Sequence, residues 1–127
     1  MIRKFNLKMN GIMETKKLYF TDSRLAGRKY HDADEVWEQL RVGTLLRLER
    51  DRENRTDANA VMVVYQDKEG EVFKLGYIPH SENETIANLL EMGWTDIFDC
   101  RISKLNPDAH PENQVHLTIK IKKNVNQ

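Results

Sequence analysis

The sequence predicts a mostly β fold of the α+β class: an OB-like antiparallel β-barrel of about six strands with one or two helices. Three features of the chain lead there. Its last apolar run alternates with period two, as a strand with one buried and one wet face must. Its strand-like segments are joined mostly by short polar links. Only one segment carries a full set of helix signals.

Taken in order, Lys16–Gly27 ("KKLYFTDSRLAG") reads as a strand that ends at a glycine. His31–Leu40 ("HDADEVWEQL") reads as a short helix or an acidic loop, with Val36, Trp37 and Leu40 at helical spacing. Gly43–Asp51 is the next strand. The charged stretch Arg50–Asn59 turns the chain, and Ala60–Tyr65 is the apolar strand that follows. Gln66–Glu71 is a polar hairpin link, and Val72–Pro79 returns, with Phe73, Leu75 and Tyr77 on one face; Pro79 cannot donate to a ladder and ends it. Ser81–Gly93 is the clear helix: Ser81 and Glu84 form a capping-box pattern, Ile86, Leu89 and Leu90 an apolar stripe, and Gly93 a C-terminal stop. Trp94–Leu105 is a strand with Phe98, Cys100 and Ile102 in phase. Asn106–Asn113 is a loop punctuated by Pro107 and Pro111. In the last strand Val115, Leu117, Ile119 and Ile121 point one way, and His116, Thr118, Lys120 and Lys122 the other.

A length of 127 residues suits one domain. Residues 16–123 are expected to form it, with 1–15 an arm or extra edge strand and 124–127 a short tail. The formal charge of +0, from 20 basic and 20 acidic residues, excludes a protein that clamps long nucleic acids by bulk charge, so any nucleic-acid site must be local. Cys100 is the only cysteine, which excludes an intramolecular disulfide and a Cys-based zinc site. No run has the length of a signal peptide or a membrane span, so a soluble cytoplasmic protein without membrane partners is expected. The four histidines lack ligand spacing, and no nucleophile elbow, Walker loop or dinucleotide fingerprint is present. No catalytic residue, metal or cofactor is expected.

Two blocks carry recognition chemistry. In "GRKYH", Arg28 and Lys29 can neutralise phosphates and Tyr30 offers a ring for base stacking; the plain alternative is a strand end with two surface cations. In "RDRENRTDANAV", Asn54 and Asp57 can each close an Asx turn, and Asn59 can do the same or anchor a neighbouring loop. The carboxylates of Asp51, Glu53 and Asp57 could hold a divalent cation for nuclease chemistry, but Arg50, Arg52 and Arg55 between them favour a solvated turn.

Read together, "LAGRKYHD", "VGTLLRLERDRENRTDANAVMVV" and "KLGYIPHSENETIANLLEMG" resemble, in that order, the HIRAN domain, a module attached to SWI/SNF-type DNA translocases and also found as stand-alone prokaryotic proteins. With no helicase-like or nuclease-like segment alongside, the chain reads as a stand-alone member. The resemblance implies an OB-like barrel and capture of single-stranded or frayed DNA at a free 3′-hydroxyl, in DNA repair or replication-fork processing. It implies that Lys29 and Tyr30 engage backbone and base, that Asn54 and Asp57 line the terminal-nucleotide pocket, and that Tyr77 opens a block ending at His80, where a phosphate-contacting cation can sit. Thr56 stands where end-gripping members can carry a stacking tyrosine, and Ile119 where a further aromatic can occur. An ionised Asp57 accepts a bond from a terminal hydroxyl and repels a 3′-phosphate. Two rival readings remain: a protein-interaction or adaptor domain on the same barrel, and the metal-dependent nuclease already described.

Overall fold

A computed structural model describes residues 16–123; the expected arm at 1–15 and tail at 124–127 lie outside the described residues. Six strands form one antiparallel sheet in the order β1-β6-β5-β2-β3-β4. They are β1 (Lys17–Arg24), β2 (Leu45–Arg50), β3 (Val61–Gln66), β4 (Val72–Tyr77), β5 (Phe98–Leu105) and β6 (Val115–Lys122). Two short helices, α1 (Ala33–Val36) and α2 (Glu84–Glu91), accompany them. β2, β3 and β4 form a meander and β5 and β6 a hairpin; β1 adds to β6, and β2 joins the two halves through β5.

The sheet curls but is not closed into a barrel by a full ladder. Register shifts at Tyr19/Thr21, Val63/Val64 and Ile102/Lys104 add local twist. The curl brings the chain beyond β1 against β4 at one bridge, where Ala26 N–H bonds the Tyr77 carbonyl at 2.8 Å and Tyr77 N–H bonds the Ala26 carbonyl at 2.9 Å. Gly76 makes this approach possible, since a Cβ there would collide with the Ala26 carbonyl oxygen and crowd Leu25.

The core lies inside the curl. Leu25, Leu75, Ile102, Leu117 and Ile119 are fully or almost fully buried, and α2 covers the open end with Ile86, Ala87 and Leu90. The alternation of β6 is borne out, with Val115, Leu117 and Ile119 inside. Ile119, at 0% exposure, is a core residue.

Of the two helical segments, His31–Leu40 holds the expected short helix, while the bounds of the second, and of the strand after it, differ from expectation. The His31–Leu40 segment is α1 followed by a 3-10 turn, Trp37–Gln39, which buries Val36 and Leu40. The helix expected from Ser81 starts later: His80–Glu82 is a 3-10 turn, and α2 begins after Asn83, so the Ser81/Glu84 capping box does not form. Its C-terminus behaves as expected. Gly93 adopts φ 95, its N–H bonds the Leu90 carbonyl, and Trp94 N–H bonds the Leu89 carbonyl, a Schellman arrangement. That turn takes up Trp94, and β5 starts only at Phe98.

Two outcomes follow. Gly76→Ala forces either the collision or the opening of the Ala26–Tyr77 bridge, so urea unfolding should show a loss of at least about 2 kcal/mol. Cys100 is 0% exposed, and burial, together with the neighbouring Asp99 charge, pushes its thiol up to about 12. Iodoacetamide should therefore leave it unmodified in the native chain and alkylate it after urea unfolding.

Candidate nucleic-acid interface

The bridge at Ala26 sets the position of the first recognition block. Directly after it, Gly27 takes a left-handed φ of 69, which bends the chain into the 3-10 turn Arg28–Tyr30. Glu112, far along the sequence, clamps this bend: its carboxylate accepts from Gly27 N–H at 2.8 Å and from Arg24 at 2.6 Å. Tyr30 then projects from the surface at 74% exposure, with the Lys29 ammonium 5.0 Å from its ring centroid. A ring so exposed is available for stacking, and the cation beside it is placed to meet a phosphate.

Arg28 lies elsewhere. Its side chain is buried, its guanidinium lies 4.4 Å over the Trp37 ring, and it pairs with Asp34 at 2.6 Å. The cation expected at a phosphate instead joins the 3-10 turn to α1. The reason is local: a turn that throws Tyr30 outward leaves Arg28 facing Trp37.

The second block is a loop built by its own side chains. Asn54 Oδ1 accepts from the backbone N–H groups of Thr56 and Asp57 at 3.0 and 2.9 Å, and from the Thr56 hydroxyl at 3.0 Å. Asp57 Oδ1 accepts from Asn59 N–H at 2.9 Å. Both expected Asx turns are therefore formed. Arg50 supports the loop from below, bonding the carbonyls of Ala60 and Ala58 at 2.8 and 3.0 Å.

The third block meets the second at Asp57. Its Oδ2 accepts from Asn83 Nδ2 at 2.8 Å and pairs with His80 Nδ1 at 3.1 Å. Partial burial pulls the Asp57 pKa up, but the bonds from Asn59, His80 and Asn83 outweigh that, and the net shift is downward. The carboxylate is thus ionised, held from two elements and 18% exposed, beside a His80 ring that is 80% exposed.

Tyr77 ties the blocks together. Its hydroxyl donates to Asp51, His31 packs at 5.4 Å between ring centroids, and Lys74 Nζ lies 4.8 Å from its ring. Burial and then the Lys74 charge lower the His31 pKa, which favours the neutral imidazole beside the tyrosine. Asp51 and Asp57 are therefore each occupied by different partners. Among the described residues no group of three or more His, Cys, Asp or Glu side chains is placed to hold a metal.

Lys29, Tyr30, Asp57 and His80 thus lie on turns and loops fastened to one another through Tyr77 at the end of β4, with Asn54 and Thr56 shaping the middle loop. Sequence reasoning missed Asn83, Glu112 and Lys74. Asn83 sits inside the apparent capping box, where helix-start chemistry masks its bond to Asp57. Glu112 carries no local signal, because its partners are distant in sequence.

The HIRAN domain profile matches residues 18–124. A Fanconi-associated nuclease 1 homolog from Oryza sativa subsp. japonica is 28% identical over 112 residues, which cover 87% of this chain and 10% of that protein. The chain thus spans about a tenth of that relative's length. A crystal structure of a protein from Lactobacillus plantarum superposes with a TM-score of 0.70 at 22% identity, covering 87% of this chain and 100% of that one, and shares the fold. Among the described residues no helix is long and apolar enough to cross a membrane.

The Asp57 and Asp99 pKa values lie below the ordinary 3.8; Asp99 is raised by burial and lowered more by Lys17 and Arg101. The folded state therefore binds these protons more weakly than the unfolded state. Both contributions are complete above the unfolded value and disappear as pH falls through the lowered folded values. Urea midpoints measured from about pH 5 to about pH 2 should fall, and Asp57→Asn should make the fall shallower.

Proposed function

Because the chain belongs to the HIRAN domain family, we propose that it is a non-catalytic DNA-binding module that captures single-stranded or frayed DNA at a free 3′-hydroxyl end. The observation that carries this reading is the state of Asp57. A carboxylate offers about four acceptor positions. Asn59, His80 and Asn83 occupy three of them, two on Oδ2 and one on Oδ1. The remaining position suits one further donor, which a terminal hydroxyl supplies. A 3′-phosphate brings no donor at neutral pH and adds charge repulsion; a continuing strand has no hydroxyl to give.

The other parts have complementary roles. Tyr30 stacks on a base near the end, Lys29 and the exposed His80 meet internal phosphates, and Asn54, with Thr56, keeps the loop in shape. Tyr77 holds the wall of the pocket through Asp51. With Thr56 in place of an aromatic, Tyr30 is the principal stacking platform, so the module reads an end rather than a long strand. The likeness to a Fanconi-associated nuclease homolog supports a setting in DNA repair or replication-fork processing.

Fluorescence anisotropy with single strands ending in 3′-hydroxyl or 3′-phosphate, and with circular strands, tests the proposal. The hydroxyl strand should bind tightest, and equal or absent binding across all three would contradict end capture. Tyr30→Ala should cost about 1–3 kcal/mol for the hydroxyl strand. Asp57→Ala should relax discrimination against the 3′-phosphate more than it weakens binding overall. With Lys29 as the lysine phosphate contact, the slope of log K against log salt should be shallow, about −0.7 for one such contact on a single strand.

A further inference from the structure

A second surface lies where β2 and β5 part. Their pairing stops at Leu46↔Cys100, although β2 continues to Arg50 and β5 begins at Phe98. Asp51 N–H bonds Ala60 on the β3 side, so strand alternation turns the backbone groups of Leu48 and Arg50 the other way, toward β5. The gap is a cleft of about 710 Å³. Leu46, Leu48, Leu90 and Phe98 line its apolar part. Arg47, Arg50, Arg52 and Lys122 line it against two carboxylates, Glu49 and Asp96. Arg47 is paired with Glu49, and the single carboxylate of Glu91 is shared between Arg50 and Arg52. With Glu91 counted, four cations face three carboxylates, and the surface is left with an excess of one positive charge. None of the residues assigned to the DNA-end site lines it.

We propose that this cleft docks an acidic, extended peptide of a partner protein, added as a strand between β2 and β5. The backbone groups of a strand require a strand-like occupant. Alternating side chains would then place apolar residues over Leu48 and Phe98 and carboxylates toward Arg47, Arg52 and Lys122. Single-stranded DNA fits less well. Phe98 is only partly exposed and is turned to Phe20 at 6.4 Å between centroids, so the cleft presents no free stacking ring. The proposal is independent of the end-capture reading, since no residue proposed to touch the DNA end lines the cleft; Arg50, which lines it, only holds the Ala58 and Ala60 carbonyls beneath the loop.

The probe is a fluorescein-labelled peptide of about eight residues alternating glutamate with valine or isoleucine, a length that spans a strand at roughly 3.3 Å per residue. Its anisotropy should rise saturably with the full chain. The same sequence N-methylated at alternate residues should lose binding, because it keeps the side chains and loses the donors. A lysine-for-glutamate version should also fail. The R47E/K122E double variant should weaken binding by about tenfold or more, and a 3′-hydroxyl single strand should not displace the peptide. Absence of saturable binding, equal binding of the N-methylated or lysine peptide, or displacement by the DNA strand would overturn the proposal. If circular dichroism shows that the double variant is unfolded, the peptide comparisons alone decide.

Discussion

The architecture depends on one close approach: the Ala26–Tyr77 bridge laid across Gly76. An open six-stranded sheet leaves two edges, each with unpaired backbone groups. Here the edges are drawn together by the two hydrogen bonds of the bridge, and the chain beyond it adds one more, from Asp32 N–H to the Lys74 carbonyl on β4. The bridge turns a curled sheet into a near-closed one around a single core. It also decides where the Gly27–His31 loop leaves the sheet, next to Tyr77. The loop is then fastened to β4 twice more, because His31, four residues past Gly27 and directly after the 3-10 turn, packs on the Tyr77 ring, and Asp32 N–H bonds the Lys74 carbonyl.

The interface built on this frame divides its labour by how tightly each group is held. Asp57 is fixed by bonds from Asn59, His80 and Asn83, so its charge and direction are set before any ligand arrives. Tyr30 and Lys29 stand free of such restraint and meet solvent. Preorganised acceptors discriminate well, and exposed rings supply affinity with little selectivity. The balance of charge fits the same division. Arg28 is turned inward onto Trp37 and Asp34, so on the proposed reading selectivity for an end comes from hydrogen bonding rather than from bulk attraction.

Much of the fold was legible because it rests on local periodicity. The alternation of Val115–Ile121, the Asx turns of Asn54 and Asp57, and the stop at Gly93 are decided within a few residues, and each forms as the residue types require. What escaped sequence reading is decided across the chain. Arg28 looks like a surface cation until the turn places Trp37 beneath it. Ser81 and Glu84 look like a capping box until Asn83 is drawn to Asp57 and the helix starts beyond it. Gly76, an ordinary strand glycine in the sequence, becomes indispensable only when Ala26 arrives over it. The family pattern pointed to Asp57 and Tyr30; the fastening of Asp57 by Asn83, and of the Gly27 bend by Glu112, needed three dimensions.

The most direct test of the account is a map of backbone amide chemical-shift changes on adding a short single strand with a free 3′-hydroxyl. The account predicts saturable shifts concentrated at Lys29, Tyr30, the Asn54–Asn59 loop and the Tyr77–His80 turn, with the β2–β5 cleft undisturbed. Shifts centred on Leu48, Arg52 and Phe98 with the Tyr30 and Asp57 loops silent, or no saturable change anywhere, would contradict it.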